Sequence, residues 1–196
     1  MGQDLFHGRL LRLAAPRQED TAALARWSHD AGYQRAVDTD YARPRPPQAF
    51  EGQGSDSPNA IEFRLRTLEG DVLIGFVALH SIEWNNHAGV LSIGIGEAEY
   101  RGKGYGSDAL RLALRYAFDE LNLERVGLDV ISNNEAAIRA YERIGFRREG
   151  AMRHAVLRDG VWHDRLIMGI LRHEWPGWSD PSRKDGTSGG DDAAVH

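Results

Sequence analysis

The chain has 196 residues, with 24 Lys+Arg, 29 Asp+Glu, 8 His, no Cys, 41% apolar residues and a formal net charge of -5. At roughly 150 residues per domain this is one domain with extensions, and so ordinary a globular composition excludes wholesale disorder. The negative balance gives no general attraction to phosphate backbones or anionic lipid, which argues against nucleic acid and membrane surfaces as partners, and the lack of Cys excludes disulfides, thiolate metal sites and a Cys acyl carrier.

Met1 to His7 shows no basic-then-apolar signal pattern, and no apolar run approaches the roughly 18 residues of a membrane span, so the expected location is cytoplasmic. Leu10 to Leu13 reads as a strand, and Asp20-Thr21 offers a cap before Leu24, Trp27 and Ala31 at helical spacing. Asp38 to Asn59 holds Pro44, Pro46, Pro47, Gly52, Gly54 and Pro58, a loop interrupted by a short helical turn around Gln48-Ala49-Phe50. Ile61 to Leu68 and Val72 to Leu79 flank the turn Glu69-Gly70-Asp71 as a hairpin. Val90 to Ile95 is a strand, and Ser107 to Leu121 aligns Leu110, Leu114, Ala117 and Leu121 on one helical stripe. Arg125 to Ile131 is a strand, Asn134 to Arg143 a helix, and Phe146 to Leu157 with Val161 to Leu171 close a hairpin around Asp159-Gly160.

Strands alternate with helices in the second half and pair as hairpins elsewhere, which predicts an α/β (α+β) fold with a mixed sheet covered by helices. Residues 1–175 form the predicted domain. Pro176 to His196 is rich in Pro, Gly, Ser and Asp and is expected to be a disordered acidic tail. Trp27, Trp84, Trp162 and Trp175 are scattered without basic interleaving and suit packing, not base stacking; a hairpin carrying Trp162 and Trp175 would suit a homodimer edge. His7, His29, His154, His163, His173 and His196 show no metal-ligand spacing, so no metal is assigned.

The chemistry concentrates in Arg101-Gly102-Lys103-Gly104-Tyr105-Gly106-Ser107, which joins a strand to a helix. Alternate glycines permit unusual backbone angles and close approach of a ligand, and the free N–H groups of a helix start attract an anion. Arg101 and Lys103 add positive charge, so the turn suits a phosphate group. A nucleotide P-loop is excluded because five residues, not four, separate Gly96 from Gly102-Lys103, and a dinucleotide fingerprint because its third glycine falls on Ser107.

Arg101 to Gly106 resembles the (Q/R)-x-x-G-x-(G/A) signature of the GNAT acetyltransferase superfamily. Asn134-Glu135-Ala136-Ala137-Ile138-Arg139-Ala140-Tyr141-Glu142-Arg143-Ile144-Gly145-Phe146 resembles the second motif, N-x-x-A-I-x-x-Y-x-x-x-G-F. Glu149-Gly150, Arg153, Arg158-Asp159-Gly160, Asp164 and Met168 are similar to the closing hairpin of the ribosomal-protein-alanine acetyltransferase branch. The resemblance spans Leu10 to Trp175 and implies a sheet of six to seven strands, mostly antiparallel, with about four helices and a splayed central strand pair. It implies that acetyl-CoA binds with its pyrophosphate on the backbone of Arg101, Gly102, Lys103, Gly104, Tyr105, Gly106 and Ser107, its pantetheine arm along Ile93, Gly94 and Ile95, and Asn134 and Tyr141 as further contacts. It implies an amine acceptor, a protein N-terminus or a small molecule, placed against the Asp38 to Asn59 loop and the final hairpin. In that branch a Glu often stands where this chain has Val90.

Acetyl transfer to an amine needs a base, a polarised carbonyl and a proton for the departing thiolate. Without Cys, direct attack on the thioester is the simplest route. Tyr141 is the candidate acid, although its place on an apolar stripe also suits a core tyrosine; Asn134 suits a helix cap as well as a cofactor contact. Glu83 and Glu97 flank the central strand as candidate bases, and His80 or His87 titrates near neutral pH. A cofactor-binding regulatory module without transferase activity is the competing reading.

Overall fold

The computed structural model describes residues 4–52 and 57–177. Seven strands form one sheet: β1 (Leu11–Ala14), β2 (Ile61–Thr67), β3 (Leu73–Glu83), β4 (Ala88–Ile95), β5 (Arg125–Ile131), β6 (Arg147–Arg158) and β7 (Val161–Leu171), in the spatial order β1-β2-β3-β4-β5-β7-β6. Four helices cover it: α1 (Asp20–Trp27), α2 (Ala31–Val37), α3 (Tyr105–Arg115) and α4 (Glu135–Ile144). Every pairing is antiparallel except β4 with β5, which flank the α3 crossover and are parallel. The mixed, mostly antiparallel sheet is the expected one.

Period-two alternation divides the sheet between two helix layers. Leu91, Ile93 and Ile95 of β4 join Leu65, Ile74, Val77, Val126, Met168 and Ile170 against Leu110 and Leu114 of α3 and Ile138 of α4. On the other face, Trp27 and Tyr33 of α1 and α2 form a smaller cluster with Leu24 and Phe50. Each fully buried aliphatic side chain contributes about 1.5–3 kcal/mol by leaving water, so the α3 layer dominates the stability.

The helix expected to run from Asp20 past Ala31 is two helices. Side chains break it: Ser28 Oγ donates to Ala25 O at 2.6 Å and accepts from Arg45 N at 2.8 Å, and Asp30 caps α2 by accepting from Tyr33 N at 2.9 Å. Short polar residues of this kind compete with the helical ladder. The helix expected over Ser107 to Leu121 starts at Tyr105 and widens over Tyr116–Glu120 into a π-type turn, with Leu121 N donating to Tyr116 O. That turn leaves both Ala117 and Phe118 buried. β3 and β4 extend beyond the expected Val72 to Leu79 and Val90 to Ile95, to Glu83 and from Ala88. The short turn expected around Gln48-Ala49-Phe50 is a 3-10 turn over Pro47–Phe50. Of the segment expected to be a tail, only Pro176 and Gly177 are among the described residues.

Candidate active site

The central relationship is a strand pair that begins and then stops. β4 and β5 pair at Ala88 with Arg125, Gly89 with Val126 and Val90 with Gly127. β5 then continues along β7 as far as Ile131, so from Leu91 to Ile95 the β5-facing edge of β4 has no strand partner among the described residues. Its backbone groups are left for a ligand to use.

A cleft of about 670 Å3 opens at this edge. Its walls are Gly32, Tyr33, Ala36 and Val37 of α2, Ile93 to Ile95 of β4, the turn from Tyr100 into Ser107, and Asn134, Ala137, Arg139 and Tyr141 around α4. At one end lies the glycine-rich turn. Gly102 and Gly104 have φ of +72° and +91°, angles that side-chain-bearing residues rarely adopt, and Gly104 is the N-cap of α3 without a capping side chain. The first-turn N–H groups of Tyr105, Gly106 and Ser107 therefore point out of the helix with no intrahelical acceptor. The first ladder bond is Asp108 N to Gly104 O at 3.0 Å.

The structure gives the Arg101 side chain work other than the expected phosphate contact. Its Nε donates to Ile95 O at 2.9 Å, and its Nη2 to Gly96 O at 2.7 Å and Asp30 Oδ2 at 3.1 Å, with the guanidinium 5.2 Å from the Tyr33 ring centre. Arg101 thus ties the exit of β4 to the cap of α2. Lys103 is exposed beside the turn. Asn134 Oδ1 accepts from Ala137 N at 3.2 Å as the N-cap of α4, while the residue also lines the cleft.

Tyr141 lines the cleft from α4, with its ring 5.9 Å from Phe146. Burial, helped by the negative charge of Asp129, pushes its phenol up to about 12. It keeps its proton throughout the physiological range and is a weaker acid than an ordinary tyrosine.

Glu83 is not brought to the cleft. It ends β3 opposite Ala88, outside the cleft lining, and accepts from Asn86 Nδ2 on the surface. Glu97 lies nearer, but its carboxylate accepts from Trp27 Nε1 at 3.0 Å and pairs with Arg26. His87 is exposed, with Nδ1 3.0 Å from Asn122 O. His80 is half-buried beside the splay: it stands opposite Val90, its Nε2 lies 2.9 Å from Ser92 Oγ, and burial holds its imidazole below the ordinary value against the opposing pull of Asp129.

Two residues at the site escape sequence reasoning. Asp108, buried in the first turn of α3, accepts from Arg9 N, Leu10 N and Leu11 N at 2.9, 2.8 and 3.3 Å, anchoring the start of β1 behind the turn. Tyr33 closes the α2 side, with burial raising its phenol far above the ordinary range. The only hint in the sequence is an acidic residue on the apolar side of a helix.

The seven-strand, mostly antiparallel sheet with its four covering helices is the fold of known acetyltransferases, and the similarities of the sequence agree. Residues 10–147 match the model of the GNAT acetyltransferase domain, and the chain belongs to that family. It is 35% identical over 119 residues to "Putative ribosomal N-acetyltransferase YdaF" of Bacillus subtilis, covering 61% of this chain and 63% of that protein. It is 38% identical over 77 residues to the spermidine N(1)-acetyltransferase of Escherichia coli K12, covering 39% and 41%. These matches thus span less than two-thirds of either relative. The spermidine N-acetyltransferase of Vibrio cholerae, solved with CoA and spermine, shares the fold at a TM-score of 0.73 and 24% identity, over 84% of this chain and 96% of that one. No group of His, Cys, Asp and Glu that would hold a metal ion occurs among the described residues, and no described helix is long and apolar enough to cross a membrane.

Proposed function

We propose that the protein is an acetyl-CoA-dependent N-acetyltransferase that moves the acetyl group directly to a primary amine, a protein N-terminal α-amine or a small-molecule amine. The unpaired edge of β4 running into the Gly102 to Ser107 turn carries this reading, because it offers one continuous path for a pyrophosphate and an extended amide-bearing arm. The residues suit the group: a Cβ at Gly102 would meet open space, and one at Gly104 only Leu10 Cδ1 at 3.6 Å, so the turn is open to the cleft and not packed shut. The coenzyme supplies the activated acyl thioester. The protein supplies first-turn N–H groups for the pyrophosphate, backbone groups of Ile93 to Ile95 for the arm, and the Tyr141 hydroxyl beside the splay. With no Cys in the chain there is no thiol to carry the acyl group, which supports direct transfer.

An α-amine of pKa about 7.7–8.0 costs roughly 1–1.4 kcal/mol to deprotonate at pH 7, against about 4.6 kcal/mol for a lysine-like amine. The mouth between α2, the loop after it and the β6-β7 hairpin favours the less charged acceptor. Arg35 pairs with Asp159 and Arg165 with Asp129, and Arg158 donates to the backbone oxygens of Asp38 and Asp40, so among the described residues three arginines stand among the acidic groups of this mouth, a poor setting for a polycation.

Thermal unfolding with acetyl-CoA, CoA, ATP and NAD, on the wild type and Gly104→Glu, tests the cradle. A rise with the two CoA compounds that the variant loses is the expected result; no rise with either ends the reading. Val90, which the resemblance sets where many members of that branch carry a Glu, favours one rival, a CoA-binding module without transferase activity. Such a module would show neither amine acetylation nor thioester hydrolysis.

A further inference from the structure

The splay of β4 from β5 begins at Val90, so the groups on either side of that point stand at the closed end of the unpaired strand edge, beyond the Ile93 wall of the cleft. Ser92 is two residues into the unpaired stretch of β4. His80 lies on β3 opposite Val90, on the same face of the sheet as Ser92, with Nε2 2.9 Å from Ser92 Oγ and Nδ1 3.2 Å from Ser81 Oγ. That second contact comes from a distorted backbone: Ser81 has φ of +49°, and the β3-β4 register shifts between His80 and Glu83. A residue held in the left-handed region is there because its surroundings impose it. Across the opening, Asp129 of β5 is close enough to act electrostatically on both His80 and Tyr141, and it is held by two bonds from Arg165, at 2.6 and 2.8 Å. A hydroxyl-imidazole pair on one side and a phenol on the other therefore bracket the same gap.

Resting on the transferase reading, we propose that His80, acting through the Ser92 hydroxyl, is the general base that takes the proton from the acceptor amine. In the productive tautomer Ser81 Oγ accepts from Nδ1–H, which leaves the Nε2 lone pair to accept from Ser92 Oγ–H. The step balances: the amine nitrogen forms the C–N bond to the acetyl carbon and the C–S bond breaks. The proton leaving nitrogen passes to Ser92 Oγ as the serine proton moves to His80 Nε2. The departing sulfur takes up a proton from the Tyr141 side, which water restores, and His80 returns its own to water. This arrangement explains how the site does without a carboxylate at Val90: the base has moved to the paired position on the next strand. The charged groups on this face are Asp129 with Arg165, Glu62 with Arg64, Arg66 with Asp20, Arg125 with Glu149, and Glu83 opposite Ala88. Burial keeps the imidazole neutral at pH 7, the form a base requires.

The test measures kcat and KM from pH 5 to 9 for wild type, His80→Gln and Ser92→Ala. Thiol release from acetyl-CoA is followed with spermidine and with a peptide bearing a free N-terminal alanine, and CoA affinity is taken by calorimetry. In the wild type log kcat/KM falls toward a slope of two at acid pH, one proton from the amine and one from His80. His80→Gln lowers kcat about 100-fold, reduces that slope to one and leaves CoA affinity unchanged. Ser92→Ala acts in the same direction by about 10-fold. Wild-type kcat and slope in His80→Gln overturn the assignment while the transferase reading stands. A wild type that binds CoA but acetylates neither acceptor overturns that reading and this base with it. Should His80→Gln fail to fold by circular dichroism, Ser92→Ala decides by the same criteria.

Discussion

Glu97 holds the indole of Trp27. Trp27 Nε1 donates to Glu97 Oε1 at 3.0 Å, Arg26 pairs with the same carboxylate, and the neighbouring Gly96 is packed so tightly that a Cβ there would fall 2.1 Å from the Trp27 ring. The strand end that leads into the cleft is thereby fixed to α1. A carboxylate so committed is a fastener for the fold. Glu97→Ala leaves a buried indole N–H without its acceptor and should cost about 1–2 kcal/mol in urea unfolding, whereas Glu97→Gln, which still accepts, should cost less. Neither should change the pH dependence of acetyl transfer. A Glu97→Gln variant that folds normally but loses the acid limb of its profile would return Glu97 to the role of base.

What the sequence makes legible is local, and what it hides is long-range. The hairpins, the glycine turn and the α3 stripe were readable because turn chemistry and periodicity act within a few residues. The division of labour at Arg101 was not, since a basic residue beside a phosphate-shaped turn looks like a ligand until Asp30, 71 residues away, takes up its Nη2. Glu83 looks well placed because it precedes the central strand, but it ends β3 exposed, with its carboxylate taken up by Asn86 of the following turn. Break positions follow the same logic: Ser28 stops α1 by bonding to Arg45, a partner supplied by the loop and not by the helix. His80 was one of four candidate bases in the sequence, and the β3-β4 register, which sets it opposite Val90, distinguishes it from the others.

Asp108 gives the second prediction. Its buried Oδ2 accepts from three consecutive backbone N–H groups, those of Arg9, Leu10 and Leu11, nearly a hundred residues away. Gly8 leaves room for it, because a Cβ there would lie 2.4 Å from that oxygen. Removing the carboxylate strands those donors, and the bonds to a charged acceptor are the stronger kind. Asp108→Ala should lose about 3 kcal/mol in chemical denaturation, and Asp108→Asn, which retains one carbonyl oxygen, distinctly less. A loss below about 1 kcal/mol for alanine would show that the start of β1 is held by its pairing with β2 alone.

Tyr141 separates two roles by pH. Its phenol is pushed up to about 12, chiefly by burial, so it stays protonated throughout an assay from pH 6 to 10 and contributes no alkaline limb of its own. Against a thiol of ordinary pKa about 8.5, full proton transfer from such a phenol is uphill by about 5 kcal/mol, more than the roughly 2 kcal/mol of an unperturbed tyrosine. Its contribution is therefore a hydrogen bond donated to sulfur as negative charge develops there, with transfer completed late. Tyr141→Phe should lower kcat about 10- to 100-fold with little change in KM for acetyl-CoA. The stability readout runs the other way. Because the folded pKa lies above the unfolded value of about 10, Tyr141 costs nothing below pH 10 and removes roughly 1.4 kcal/mol per pH unit between 10 and 12, a contribution the phenylalanine variant lacks while that of Tyr33 remains. Unchanged kcat combined with a flatter alkaline unfolding curve would mark Tyr141 as a core residue packed on Phe146; reduced kcat with the same flattening would mark it as the group that meets the leaving sulfur.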